Sequence, residues 1–243
     1  MSGHSKWNNI KHKKEKSDAA KAKIFTKIGK EMAVAIKAGG PDPSNNSKLR
    51  DLIAKAKANN VPNDNIQRTI KKFSETNDIN YEEIVYEGYG PSGVAIIVET
   101  STDNRNRTAG NVRAAFSKYG GNMGQNGCVS YLFEEKGTIR ILDEDEEIEE
   151  DKIMEDALEC GAEDIRSSEG EYTIYTDPAD LDSVRDAIVA LGYKIDFCDL
   201  AKVPSTYVTL ESEDDIENMQ KMLDKFDEDD DVNAVFTNWD NQD

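Results

Sequence analysis

The chain has 243 residues, a length that suits two or three domains better than one. Its formal net charge of −19 would exclude a polyanionic partner if it were spread evenly, but residues 1–72 carry 17 Lys and Arg against 6 Asp and Glu, leaving 13 against 43 for the rest. A segment of net +11 therefore precedes one of net −30, and because exposed charges more than about 8 Å apart are largely screened at physiological salt, the basic segment keeps its own local field.

Ser17 suits a helix N-cap, and apolar residues then recur at helical spacing at Ile24, Phe25, Ile28, Met32, Ala35 and Ile36 until Gly39-Gly40-Pro41 stops the run. A second helix is predicted from near Ser47, with Leu49, Leu52, Ile53 and Ala56 on one face, ending before Pro62. A third follows Asn63 with Ile66, Ile70 and Phe73, so residues 1–76 read as a basic, helical, nucleic-acid-binding three-helix bundle. After Asn77 the period changes: Ile84–Tyr86 and Val94–Thr100 read as strands joined by GYGPSG, Thr108–Tyr119 as a helix, and Cys128–Phe133 as a strand. Next come strand Thr138–Leu142, helix Ile148–Cys160, strands Asp164–Ser167 and Tyr172–Tyr175, helix Asp180–Leu191 and strand Lys194–Leu200, the ferredoxin-like β-α-β-β-α-β order.

The tail adds strand Thr206–Leu210, a helix from Ser212 with Ile216, Met219, Leu223 and Phe226 on one face, and strand Val232–Phe236. Joined to residues 94–133, it completes a second unit of the same order. The expected fold is thus multi-domain α+β: an N-terminal three-helix bundle, then two ferredoxin-like α+β domains, one inserted in the other. The boundaries are 1–76, then 77–134 plus 205–243 as a discontinuous domain, with 135–204 as the inserted acidic domain.

The clearest chemistry lies at the start. Lys6, Lys11, Lys13, Lys14 and Lys16 are interleaved with Trp7 and His12, cations that neutralise phosphates beside an indole able to stack on an unpaired base. The helix that follows repeats the theme with Lys21, Lys23, Lys27, Lys30 and Lys37, and the third helix carries Arg68, Lys71 and Lys72 outward. A second-ranked phosphate site is Asn104, Arg105, Asn106 and Arg107, between a strand and a helix start, where Asn and Asp could equally make the turn and Thr108 cap the helix.

Gly88, Gly90 and Gly93 spell G-x-G-x-x-G, but Pro91 interrupts it and a strand follows, so a hairpin turn is expected rather than a dinucleotide site. The acidic runs 143–151 and 227–231 lack the glycine and spacing of a calcium loop and read as solvated loops. His4 and His12 have no metal-ligand interval to a Cys or acid, and no nucleophile-base constellation is evident; no metal, cofactor or catalysis is expected. Cys128, Cys160 and Cys198 are odd in number and widely spaced, which fits a reduced cytoplasmic setting. The polar N-terminal sequence has no apolar core of a signal, so a protein neither secreted nor in a membrane is expected.

GHSKWNNIKHKK (3–14), KIFTKIGKE (23–31), YEGYGPSGVAIIVE (86–99), TDNRNRT (102–108) and FSKYGGNMG (116–124) closely resemble the YebC/PmpR family, most tightly over residues 1–137. The resemblance implies a three-domain cytoplasmic transcriptional regulator with DNA-binding members; mitochondrial relatives look like translational activators of cytochrome oxidase, and bacterial ones of this type have been linked to ribosomes. The reading is a non-enzymatic, DNA-binding transcriptional regulator. The alternatives are a translation factor bound to ribosomal RNA or the ribosome, and a protein-interaction scaffold that uses its acidic domains to hold a protein partner.

Overall fold

The computed structural model describes residues 18–75, 80–143, 148–168 and 170–240. The chain order is α1 (Asp18–Gly39), α2 (Ser47–Ala58), α3 (Asn63–Glu75), β1 (Glu82–Tyr89), β2 (Ala95–Thr102), α4 (Arg105–Lys118), β3 (Asn122–Met123), β4 (Phe133–Leu142), α5 (Glu150–Glu159), β5 (Asp164–Ser168), β6 (Glu171–Thr176), α6 (Leu181–Ala190), β7 (Ile195–Pro204), α7 (Glu213–Glu228) and β8 (Val232–Thr237). Two compact units result, residues 18–129 with 211–235 and residues 130–210 with 236–240.

The three helices bury the positions that the 3.6-residue period selects. Ile28, Met32, Ala35 and Ile36 of α1, Leu49, Leu52 and Ala56 of α2 and Ile66 of α3 form one core, with Ile24, Ile53, Ile70 and Phe73 half-buried around it. Asn46 sets the corner between the first two helices. Its Oδ1 accepts from the Leu49 amide at 3.0 Å, capping α2, while its Nδ2 donates to the Ala35 and Gly40 carbonyls, both at 2.8 Å, closing the end of α1. A Cβ on Gly39 would stand 2.9 Å from the Asn46 amide, so the close approach requires glycine there.

The first sheet has the order β3-β1-β2-β8 and the second β5-β6-β4-β7. In the second, the predicted β-α-β-β-α-β order is present with its first and third strands central, and Ile139, Ile141, Ile153, Ile174, Val184 and Ile188 fill the space under α5 and α6. The first sheet departs from expectation. Residues 130–132 form a 3-10 turn rather than a strand, and between 206 and 210 only Val208 pairs, with Trp239, in an isolated bridge.

The missing positions are taken by β1 and β3. β1 pairs with β2 over eight positions from Glu82↔Thr102 to Tyr89↔Ala95, which makes it the third strand of a ferredoxin-like sheet supplied from upstream. Strand formation after residue 126 is blocked by the buried Glu87 carboxylate, which accepts from the Gly127 and Val129 amides at 2.8 and 2.9 Å and so withdraws them from any ladder. Val208 donates its amide to the Asn238 carbonyl and its own carbonyl accepts from the Asp240 amide, which uses it up outside the sheet.

G-x-G-x-x-G is a hairpin turn, as predicted: Pro91–Gly93 forms a single 3-10 turn, with Gly93 at φ +83°. Gly88 serves packing instead, since a Cβ there would meet the Asn122 carbonyl oxygen at 2.5 Å and the Phe116 ring at 2.9 Å. Gly88→Ala is expected to cost about 1–3 kcal/mol by overpacking, read as a lower urea midpoint; a neutral result would show β3 to be loosely held. Above this sheet Phe116 of α4 meets Phe226 of α7 edge-on, ring centres 5.3 Å apart, and both are buried. Cys128, Cys160 and Cys198 are all free thiols, and burial pushes Cys198 up to about 11, which favours its protonated form at neutral pH.

Candidate nucleic-acid interface

On α1, Lys23, Lys27 and Lys30 recur at i, i+4 and i+7 and share one face. That face is turned toward the last turn of α7 and the link that follows it to β8. Lys27 is only 7% exposed, and its Nζ donates to the Asp227 carbonyl at 3.1 Å and to Asp227 Oδ1 at 3.4 Å; Lys23 stands 3.6 Å from Asp227 Oδ2. Lys30 donates to the Asp230 carbonyl at 2.9 Å and to Asp231 Oδ1 at 2.6 Å.

Asp231 is 3% exposed and Asp227 and Glu228 lie in the last turn of α7, so the 227–231 run is only in part the solvated loop that its composition suggests, with Glu228 and Asp230 exposed. Besides Lys30, its carboxylate accepts from Arg107 Nη2 at 2.7 Å, Arg107 Nε at 3.1 Å and Thr108 Oγ1 at 2.8 Å. Burial alone would raise the Asp231 carboxyl, but the hydrogen bonds from Lys30, Arg107 and Thr108 outweigh it and hold the group below the usual carboxylate range. Asp143, in the other acidic run, is also buried, with its Oδ2 accepting the Ile148 amide at 3.0 Å.

The TDNRNRT segment is organised by the same carboxylate. Asn104 is the N-cap of α4, its side chain accepting from the Arg107 amide at 3.1 Å, whereas Thr108 lies buried on Asp231. Arg107 is committed to Asp231 and Asp103, which hold its guanidinium still more firmly protonated than usual. Arg105 and Asn106 are exposed. A cleft of about 510 Å³ beside this cluster is lined by both signs of charge, including Lys30, Lys118, Lys225, Glu228 and Asp229, a mixture that does not single out an anion.

The open basic surface lies elsewhere in the bundle. Arg68, Lys71 and Lys72 are exposed on the face of α3 opposite Ile66, Ile70 and Phe73, as predicted, and Lys37, Arg50 and Lys57 are exposed on α1 and α2. Lys71 stands 4.0 Å from Glu75, both well exposed, a pairing that water and salt weaken. Lys6, Trp7, Lys11, His12, Lys13, Lys14, Lys16 and Ser17 lie outside the described residues, as do His4 and the side chain of Lys21.

Sequence reasoning missed Asp231, Asn46 and Glu87, the three buried polar groups that shape this unit. No local pattern marks them, because each acts on amides or cations brought close only by the fold. Among the described residues no cluster of three or more His, Cys, Asp or Glu could hold a metal ion, and no helix is long and apolar enough to cross a membrane.

Comparison with known proteins agrees with this architecture. A family model described as the TACO1/YebC protein N-terminal domain matches residues 5–76, and one described as the TACO1/YebC second and third domain matches residues 81–239. A protein of Agathobacter rectalis named "Probable transcriptional regulatory protein" is 56% identical over 98% of this chain and 99% of its own length. One of the same name from Lachnoclostridium phytofermentans is 53% identical over 99% of this chain and 100% of its own. The crystal structure of a conserved hypothetical protein from Aquifex aeolicus superposes with a TM-score of 0.82 at 42% identity, covering 92% of this chain and 91% of that one. Matched along nearly its whole length at both levels, the chain belongs to the TACO1/YebC family.

Proposed function

We propose that the chain is a non-enzymatic, DNA-binding transcriptional regulator that grips phosphates through its basic N-terminal domain. The observation that carries this reading is the outward stripe of Arg68, Lys71 and Lys72 on α3, set on a segment of net +11. The name borne by its relatives, probable transcriptional regulatory protein, supports the regulatory half. In this reading the arm residues Lys6, Trp7, Lys11, His12, Lys13, Lys14 and Lys16 extend the contact, with Arg105 and Asn106 as an outlying phosphate contact. The chain works as three domains, 1–76, 77–134 plus 205–243, and 135–204.

A second reading, binding to ribosomal RNA, is favoured by the −30 carried after residue 72, which would repel bare DNA but could face basic ribosomal proteins.

The test is a gel shift of the full chain on duplex DNA and on structured RNA across a salt series. Each neutralised phosphate contributes about −0.9 to the log-log slope on duplex, so replacing Arg68, Lys71 and Lys72 together by Ala should flatten the slope by about two to three units. An unchanged slope would remove α3 from the contact surface. Salt-sensitive co-sedimentation with ribosomes that survives DNase would move the target to RNA.

A further inference from the structure

The second sheet ends on β7, ten residues long, and among the described residues no strand pairs with its outer side. Its register shows which backbone groups face outward. The Ser205 amide donates to the Leu132 carbonyl at 2.8 Å, next to the pair Phe133↔Pro204, and hydrogen-bonded pairs alternate along an antiparallel ladder. Asp199, Ala201 and Val203 therefore point their backbone groups at β4, while Cys198 and Leu200 point theirs outward. Two observations agree. Pro204, which has no N–H, occupies an outward position, as proline does on edge strands, and the Leu200 amide is bonded to the Asp199 carboxylate beside it, Oδ1 at 2.9 Å, rather than to β4.

On its helix side this edge is apolar. Cys198 turns toward the core under α5 and α6, so Leu200, two residues on, shares that face, and it is 42% exposed. Its partner across β4 is Gly137, where a Cβ would stand 2.9 Å from Leu181 Cβ, which leaves Leu200 beside the first turn of α6. Arg185 of α6 borders the Cys198 thiol, and Val189, one turn on along the same flank, is 53% exposed. A helix flank beside a free strand edge is an arrangement that takes up an extended peptide, its backbone on the strand and alternate side chains in the space alongside. Residues 135–204 carry 22 Asp and Glu against 7 Lys and Arg, a net of −15, which selects a basic one.

We propose that an extended basic segment of a partner protein adds to β7 as a fifth, antiparallel strand. Its apolar residues, on the helix side, pack against Leu200 and the Val189 flank of α6 and exchange backbone hydrogen bonds with Cys198 and Leu200. Its lysines, on the opposite side, face Asp199. A carbonyl of the segment takes the Leu200 amide from the Asp199 carboxylate, which is released to a lysine ammonium. The local cap that blunts the edge thus becomes the charge that holds the partner. This goes beyond the nucleic-acid reading and stands whether the basic bundle grips DNA or RNA.

The test adds a fluorescent octapeptide of alternating valine and lysine to the full chain and reads anisotropy at low salt. In antiparallel pairing with the valines on the helix side, the valine amides face β7 and the lysine amides face away. Methylating every valine amide nitrogen is therefore expected to weaken binding at least about tenfold, through the loss of several hydrogen bonds, while methylating every lysine amide nitrogen changes it by less than about threefold. Leu200→Thr, which keeps a strand former and removes the apolar contact, should bind about three- to tenfold more weakly, and hydrogen–deuterium exchange should slow over residues 195–204 when the unmodified peptide binds. Equal binding of all three peptides would reduce the interaction to charge and overturn the proposal. So would protection confined to another segment, unchanged affinity in a folded Leu200→Thr, or no binding of the unmodified peptide up to about 1 mM. Thermal unfolding checks the fold, and Val189→Thr, at an exposed helix position, replaces Leu200→Thr should that variant unfold.

Discussion

Replacing Asp231 by Ala is expected to lower stability by about 3 kcal/mol, the low end of the range for stripping one partner from a buried ion pair. The low end applies because Arg107 is about half exposed and can recover water, whereas the Lys30 side chain, 13% exposed, keeps its charge in a site built around the lost carboxylate. Urea unfolding at neutral pH measures it, and a loss below about 1 kcal/mol would show the cluster to be ornamental. The pH dependence follows from the lowered carboxyl. A group with a depressed folded pKa contributes stability that is present above its unfolded value, near 3.9, and is lost as pH falls through the folded value. The gap between wild type and Asp231→Asn should therefore be full at neutral pH and shrink below about pH 4; a gap that widened on acidification would contradict the assignment.

Asn46→Ala is expected to cost about 2–3 kcal/mol, combining a lost N-cap of about 1 kcal/mol with two carbonyls left short of a donor in a largely buried corner. Asn46→Asp discriminates between the two roles. It keeps the acceptor that caps α2 but replaces the amide donor with an anion facing the Ala35 and Gly40 carbonyls, at 2.8 Å in the native corner. If the corner matters as much as the cap, Asp should be no better than Ala in thermal unfolding. Recovery by Asp would assign nearly all of the energy to the cap.

Long amphipathic elements were legible in the sequence because their burial is periodic: α1 through Ile28 and Met32, α3 through Ile66 and Ile70, and α7 through Met219, Leu223 and Phe226 are placed by spacing alone. The open sheet was harder. Residues 206–210, TYVTL, have the β-branched and aromatic composition of a strand, yet Val208 is consumed by Asn238 and Asp240, and composition carries no information about which partner a strand finds. Residues 128–133 misled for another reason, since the Val129 amide there, like that of Gly127 just before, is taken by Glu87 some forty positions upstream.

The interface divided in the same way. That a lysine-rich bundle exists follows from counting, and the outward face of α3 follows from its period. That Lys27 is committed to Asp227 could not be read, because the two lie 200 residues apart and each looks like surface in its own segment. Charge counts locate a field; they do not say which cations an internal carboxylate has already claimed.

The placing of β8 at the edge of the first sheet has a consequence for how the molecule is made. β1 and β2 pair within about twenty residues and can form as soon as they leave the ribosome, but their neighbour β8 and the Asp231 that locks Lys30 are synthesised only after the whole of β4–β7. Closure across so large a sequence separation is slow, so a nascent chain must wait with one flank of β2 unpaired while the second sheet is completed. Ribosomes halted before residue 231 would hold α1 without its anchor, its lysines uncovered beside ribosomal RNA.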